Sequence, residues 1–280
     1  MTPHTYINFD KKYKKEDQKF RKYKIIAAVA GFLILLGGFF YAVVYSPLFQ
    51  VIKINVDNPL VDGDFANNLK DFFVNQSKFT KFLGPDNILI WNGNKLEKFE
   101  KDPEIAEISL KKDYAERTIE INVKLRERFG VWCQNSQQVN TSSTEQQVAE
   151  SCWWFDKDGV LFAAAPELEG NAINKVDDFS GRDLMLGGSA LDERFISNLT
   201  GIFGVLEKSG LGIRALKLEN LALQEIVFDQ PQTSLPKIYF SLRENPEFTL
   251  AAINDLKKIG LEKIAYIDLR VGNRVYYKLR

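Results

Sequence analysis

The N-terminal part of the chain contains one long run of apolar positions with no polar interruption. The run spans Ile25–Tyr45 and contains no charged residue. As a helix it would extend about 31 Å, which matches the roughly 30 Å hydrocarbon core of a bilayer. Its aromatic residues gather toward one end, at Phe39, Phe40, Tyr41 and Tyr45, as in the interfacial belts of membrane helices. The pattern predicts a single transmembrane helix over residues 25–45.

A cleaved signal peptide and a buried core helix are the two other interpretations of this run. The run is longer than the apolar region of a signal peptide, and its exit at Tyr45-Ser46-Pro47 has no small-residue cleavage pattern. A core helix of a soluble protein would show an amphipathic period, which is missing here. We therefore expect an uncleaved anchor.

The next residues alternate between apolar and polar positions in a way that predicts a small domain over 46–126. Its clearest element is Thr118–Arg126, in which every second residue is apolar, as in a strand with one buried face. The other predicted elements are a strand over Phe49–Val56, a helix over Gly63–Val74, an extended piece at Ile88–Ile90, a helix from Asn92 or Asn94 to Lys101, and a strand over Ile105–Lys112. The predicted order is strand, helix, helix, strand, strand.

Residues 127–280 predict a second domain made of a mixed sheet and helices. Asp158-Gly159 between apolar runs indicates a tight hairpin, and residues 163–188 show no clear pattern. The predicted helices are Leu191–Lys208 and the segment from Pro246 to Ile259, and the predicted strands include Arg214–Glu219, Gln224–Phe228, Lys237–Leu242, Ile264–Leu269 and Arg274–Leu279. The fold class is therefore α+β, with one N-terminal membrane helix.

Charge sets the expected orientation of the anchor. Residues 1–24 contain eight lysines and arginines against three acidic residues, whereas residues 46–280 contain 29 against 34. A basic flank favours the cytoplasmic side. We expect a basic cytoplasmic tail over 1–24, a location in the cytoplasmic membrane, and the rest of the chain outside the cell or in the periplasm. The acidic outer part also argues against binding to nucleic acid.

Two cysteines, Cys133 and Cys152, flank the polar segment Gln134–Ser151. The apolar pairs beside them, Val131-Trp132 and Trp153-Trp154, would place the cysteines opposite each other if they form antiparallel strands. An outside compartment permits a disulfide. A disulfide is the favoured interpretation, and two unpaired thiols at the base of a loop remain the alternative.

Few residues of the outer part suggest catalysis or cofactor binding. The one histidine is His4, in the tail, and neither a nucleotide-binding glycine loop nor a GxSxG motif occurs. The segment Asp156–Gly159 lacks the later glutamate and further ligands of an EF-hand and is better explained as a turn. We expect no catalytic residues, no metal, no cofactor and no small-molecule substrate.

Two segments resemble the FtsQ/DivIB family of bitopic cell-division proteins. The first lies in DPEIAEISLKKDYAERTIEINVKLRER and matches the POTRA signature of that family at Pro103, Ile105, Ile108, Lys111, Thr118, Ile119, Ile121, Val123, Glu127 and Arg128. The second matches the family's ending at Ile264, Ile267, Asp268, Leu269, Arg270, Asn273 and Val275. Between them, Gly130–Trp132 and Trp154–Phe162 resemble the intervening pattern. Tyr114-Ala115 and the 18-residue insert at 134–151 depart from the family.

The resemblance implies a POTRA domain at 46–126, a β domain at 127–280 and a non-catalytic role at the division septum. It implies a scaffold that binds FtsB- and FtsL-like bitopic partners and helps control septal peptidoglycan synthesis. In the family the last strands contact the FtsB-like partner, and the matching residues here are Arg274, Val275, Tyr276, Tyr277 and Lys278.

Two other classes of function stay open. One is a POTRA-bearing export or assembly component, although such proteins usually carry repeated modules or a barrel, for which the chain has no alternating lipid-facing strands. The other is a membrane-anchored envelope enzyme, which would require a convergent polar pocket.

Overall fold

The computed structural model describes residues 9–60, 63–99, 101–135, 151–166 and 171–280, with backbone alone at residues 9–19, 63, 97 and 98. Parts of the predicted tail (1–8) and of the polar insert (136–150) lie outside the described residues. Contacts divide the chain into one unit of Met1–Leu96 with Ser109–Val123, and another of Glu97–Ile108 with Lys124–Arg280. The fold is a mixed α+β fold with one apolar N-terminal helix and a large mixed sheet.

The N-terminal helix, α1, runs over Phe9–Tyr45 and includes the basic segment that precedes the apolar run. Its section Phe20–Tyr45 has a mean hydropathy of 2.3 in its most apolar stretch, and none of that stretch is buried against protein. The apolar run Ile25–Tyr45 within it is exposed along most of its length, with only Val43 and Val44 partly covered. The helix is therefore long and apolar enough to cross a membrane.

A three-stranded sheet follows α1. The elements are β1 (Lys53–Val56), α2 (Gly63–Gln76), the short helix α3 (Thr80–Leu83), 3₁₀ helices at Ile88–Ile90 and Gly93–Lys98, β2 (Ile105–Asp113) and β3 (Thr118–Leu125). The strands lie in the order β1-β3-β2, and β1 is parallel to β3 with Ile54 beside Ile119. The apolar face of α2 packs inward through Leu69 and Phe73, which are fully buried.

Three local predictions in this region are wrong. Ile88–Ile90 forms a 3₁₀ turn instead of an extended piece, because the Asn87 side chain accepts a hydrogen bond from the Leu89 amide and closes the turn. The predicted helix up to Lys101 is a 3₁₀ helix over Gly93–Lys98. The first strand is shorter than expected, and Pro47–Phe49 forms a 3₁₀ turn after α1.

A nine-stranded sheet dominates the second unit. Its strands are β4 (Gly130–Gln134), β5 (Ser151–Phe155), β6 (Leu161–Ala164), β7 (Asn174–Asp178), β8 (Ala215–Leu218), β9 (Glu225–Phe228), β10 (Lys237–Ser241), β11 (Ile264–Leu269) and β12 (Tyr276–Leu279). They lie in the order β12-β11-β10-β9-β8-β7-β4-β5-β6. The pairs β4/β7, β7/β8 and β10/β11 are parallel, and the other neighbouring pairs are antiparallel.

Apolar residues lie on both faces of this sheet. Helices α4 (Glu193–Ser209) and α5 (Glu247–Ile259) contact each other and contribute to the main core, which includes Trp132 and Phe155. Neighbouring positions of a strand point to opposite faces. Val131 and Cys133, on either side of Trp132, accordingly belong to a separate small cluster that also contains Trp154.

Strand β7, in the interior of the sheet, lies in the region whose pattern predicts no element. Its sequence NKVDD has one apolar residue, Val176, which is fully buried. The polar residues are tolerated because they have partners: Asp178 accepts from the Trp132 indole at 3.0 Å and pairs with Arg182 at 2.7 Å. Trp132 lies 46 residues before Asp178, so the local pattern contains no sign of this bond, whereas Arg182 lies only four residues after Asp178.

The predicted hairpin turn at Asp158-Gly159 is confirmed between β5 and β6. The Asp156 carboxylate accepts hydrogen bonds from the amides of Asp158 and Val160, and Gly159 has a φ of 79°. Asp156 also pairs with Arg126 at 2.6 Å. Its oxygens are thus used by the turn and by an ion pair.

Candidate partner-binding edge

Strand β12 lies at one edge of the nine-stranded sheet, paired on one side with β11. The pairing is antiparallel, with Tyr277 opposite Ile267 and Tyr276 opposite Asp268. Half of the backbone amides and carbonyls of an edge strand point away from the sheet. They can accept an added strand from a partner.

All four side chains of β12 are exposed, although three of them are large and apolar or aromatic. Tyr276, Tyr277 and Leu279 are 49%, 46% and 54% exposed. Since alternate residues point to opposite faces, Tyr276 and Lys278 lie on one face and Tyr277 and Leu279 on the other. A partner strand added beside β12 could therefore meet an aromatic side chain on each face.

The structure places the five predicted partner-binding residues in two groups. Tyr276, Tyr277 and Lys278 lie in β12, as predicted. Arg274 and Val275 do not, because the turn before the strand extends further than expected, with Asn273 at a φ of 55° and the Arg274 amide bonded to the Val271 carbonyl at 3.1 Å. Val275 is partly buried against the main core, which makes it a packing residue.

A charged cluster lies beside β12, on the neighbouring strands. Arg270, just after β11, pairs with Asp268 at 2.6 Å and with Glu225 of β9 at 2.6 Å. Its guanidinium also lies 4.9 Å from the ring centre of Tyr239 on β10. One arginine thus joins three adjacent strands next to the candidate edge.

This cluster shifts the protonation of its members. The hydrogen bonds from Arg270 hold the pKa of Asp268 below its ordinary value of 3.8. The same bond to Asp268, followed by the bond to Glu225, raises the pKa of Arg270. Both groups are therefore charged throughout the neutral range.

An open cleft of about 340 Å³ lies at this end of β9, β10 and β11. Its lining is mostly polar and charged and includes Glu225, Arg243, Asp268 and Arg270. These residues are not among the predicted site residues. Asp268 lies two residues from Arg270, but Glu225 is 45 residues away and only the sheet topology brings it near.

The other predicted pair, Cys133 and Cys152, lies far along the sheet order from β12. The two residues are direct partners in the antiparallel pair β4/β5 and are joined by a disulfide in the structure. Both are buried. The covalent link closes the base of the polar insert, whose central residues 136–150 lie outside the described part of the chain.

The geometry near β12 suits recognition of a protein segment. It offers free backbone groups, exposed aromatic side chains on both faces and an adjacent charged cleft.

Among the described residues, no group of three or more histidine, cysteine, aspartate or glutamate side chains is placed to hold a metal ion. No model of a known protein family matches the chain, and no curated protein is significantly similar to it.

Proposed function

We propose that this chain is a bitopic scaffold of the cell-division machinery, resembling FtsQ/DivIB, and that β12 binds an FtsB-like partner by strand addition. The observation that carries the proposal is the exposed edge strand β12 with its aromatic side chains. The sequence resemblance around Asp268-Leu269-Arg270, directly before this strand, supports the same function. The proposed role involves no catalysis.

The proposal includes the rest of the chain. We assign α1 to a single membrane crossing with the basic segment in the cytoplasm, and the three-stranded sheet to a POTRA domain. Two features support the POTRA assignment: the parallel pairing of β1 with β3, and the position of α2 between β1 and the β2–β3 hairpin. Both FtsB- and FtsL-like partners are bitopic in the family, so α1 would place this chain in the same membrane as its partners.

Substitutions on β12 test the partner site. We expect Tyr276→Ser with Tyr277→Ser to lower capture of the FtsB-like partner by more than about ten-fold, because buried aromatic contacts dominate interface energies. The measurement is co-purification of the full-length chain and partner from membranes solubilised in mild detergent. Lys278→Glu examines the one charged side chain of the strand separately.

The matched control is Tyr114→Ser, which removes a tyrosine of similar exposure (46%) at the turn between β2 and β3. It should leave capture unchanged. The tyrosines of β12 are exposed, so their loss should leave the thermal unfolding temperature near that of the parent chain. Unchanged capture by the double variant would refute the interface. These side-chain changes are preferable to truncation after Gly272, which would also remove the packing of Val275 against the core.

A further inference from the structure

The outer end of α1 contacts a specific part of the first unit. The Asn87 side chain, which is 1% exposed, donates a hydrogen bond to the Val43 carbonyl at 3.0 Å. Helix α3 and the Pro47–Phe49 turn also contact α1. Val43 and Val44 are partly covered, whereas α1 from Phe20 to Ala42 is exposed. The segment around α3 therefore lies beside the last turn of the helix.

This contact defines the depth of α3 if α1 crosses a membrane, which is part of the proposed function. Val43 lies two residues before the end of the apolar run, a rise of about 3 Å. The apolar run matches the hydrocarbon core in length. Protein packed against its final turn must therefore lie at the boundary between hydrocarbon and lipid headgroups.

The exposed side chains of this segment are suited to that boundary. Phe79 and Phe82 are 67% and 66% exposed, and their spacing of three residues places them on one side of the α3 turn. Leu48, in the turn directly after α1, is 62% exposed. Lys78 and Lys81 are exposed beside the two phenylalanines. Aromatic residues interleaved with lysines are typical of segments that lie in a membrane interface.

We propose that Phe79, Phe82 and Leu48 form a membrane-docking patch that inserts into the headgroup region of the leaflet around the outer end of α1. Lys78 and Lys81 lie beside the patch and contact the phosphates of anionic phospholipids. The bilayer is the occupant because the patch continues directly from the apolar surface of α1. The first unit is then attached to the membrane at two places, the helix and the patch, which limits its tilt about the end of α1.

Depth measurements with single nitroxide labels test this proposal on the full chain in proteoliposomes. The labelled variants are Phe82→Cys in the patch, Tyr114→Cys as an exposed control in the same unit, and Leu35→Cys within α1. Labelling is done without reductant, which keeps the disulfide between Cys133 and Cys152 intact. A chain with no introduced cysteine is labelled in parallel and corrects for any reaction of these two residues. The readout is the collision rate of each label with oxygen, which is enriched in lipid, relative to a water-soluble nickel chelate.

We expect the Phe82 label to show a collision ratio shifted toward lipid, between those of the Leu35 and Tyr114 labels. A ratio equal to that of Tyr114, with the Leu35 label still in hydrocarbon, would overturn the docking patch and leave the membrane crossing intact. An aqueous ratio at Leu35 would overturn the crossing and the patch together. Dipolar broadening at the Phe82 label that disappears on dilution with unlabelled chain would show that a second copy covers the patch, which also overturns the proposal.

Lipid charge provides the second arm of the test. The collision ratio of the Phe82 label should shift further toward lipid in vesicles of phosphatidylcholine mixed with an equal amount of phosphatidylglycerol than in phosphatidylcholine alone. Lys78→Glu with Lys81→Glu should remove that difference. The matched control is Lys111→Glu, on β2. An equal response to lipid charge in both variants would contradict the role of the two lysines.

Discussion

Arg270 joins three neighbouring strands at the end of the sheet that carries β12. It pairs with Asp268 and Glu225 and lies over Tyr239, so β9, β10 and β11 share one side chain. Arg270 is 41% exposed in its side chain, and water screens the pairs. The cluster should therefore contribute modestly to stability while keeping the strands next to the candidate edge in a fixed arrangement.

The lowered pKa of Asp268 predicts a pH dependence of stability. A carboxyl whose folded pKa is lowered contributes stability that is present above its ordinary value of 3.8 and is lost as the pH falls through the folded pKa. Asp268→Asn should lower the free energy of unfolding by about 1 kcal/mol at neutral pH. The difference from the parent chain should shrink toward acid pH. Urea unfolding in detergent across this range measures it.

Asp255→Asn is the control for this prediction. Asp255 pairs with Lys258 on α5, but both side chains are more than 70% exposed, and such pairs contribute little. A pH-independent difference at Asp268, or an equal effect at Asp255, would contradict the account of the Arg270 cluster.

Asp156 and Asn87 show which contacts the local sequence predicts and which it does not. The turn at Asp156 was predictable because an aspartate that bonds nearby amides, followed by a glycine with positive φ, is a local pattern. Asn87 has two roles: it closes a local turn and it bonds to the Val43 carbonyl 44 residues earlier. The local turn explains why the extended form predicted for Ile88–Ile90 is wrong, and the bond to Val43 depends on the tertiary fold.

At the scale of elements, strands with one buried face were predicted well. The alternation over Thr118–Arg126 corresponds to β3, and the predicted strand Ile264–Leu269 matches the bounds of β11. Strand β7 could not be found this way, because it has one apolar residue and its buried Asp178 bonds to Trp132, which lies 46 residues earlier. The candidate edge was predicted in part: Tyr276–Lys278 lie in β12, but the pattern could not show that the turn includes Arg274.

The hairpin β4/β5 gives a prediction at the same scale. The disulfide between Cys133 and Cys152 spans a separation of 19 residues. Closing a loop of this size should stabilise the folded chain by about 3 kcal/mol in the chain-entropy model. Chain purified from membranes should therefore resist alkylation when denatured without reductant, and the variant Cys133→Ser with Cys152→Ser should unfold at lower urea concentration.

Mass spectrometry after alkylation decides the redox state of this pair. The predicted result is no added label without reductant and two labels after reduction. Full labelling without reductant would contradict the disulfide. Thr118→Ser, a conservative change at a buried site on β3, is a suitable control for the unfolding measurement, since it leaves both cysteines in place.

At the scale of the whole molecule, the sequence predicted the α+β class and the single apolar helix, but not the order of the strands. The parallel pairs β4/β7 and β7/β8 join segments separated by the polar insert and by α4. Such pairing depends on contacts between distant segments, which alternation within one strand does not encode. The position of β12 at the sheet edge, on which the proposed partner site depends, required this topology.

The location of the chain in dividing cells tests the central claim most directly. A fluorescent protein fused to the N-terminal side, which we place in the cytoplasm, should form a band at midcell before and during constriction in the native host. The band should weaken when β12 carries Tyr276→Ser with Tyr277→Ser if partner binding helps to hold the chain there. Uniform membrane fluorescence through the division cycle, at native expression level and with the fusion intact, would contradict the divisome assignment.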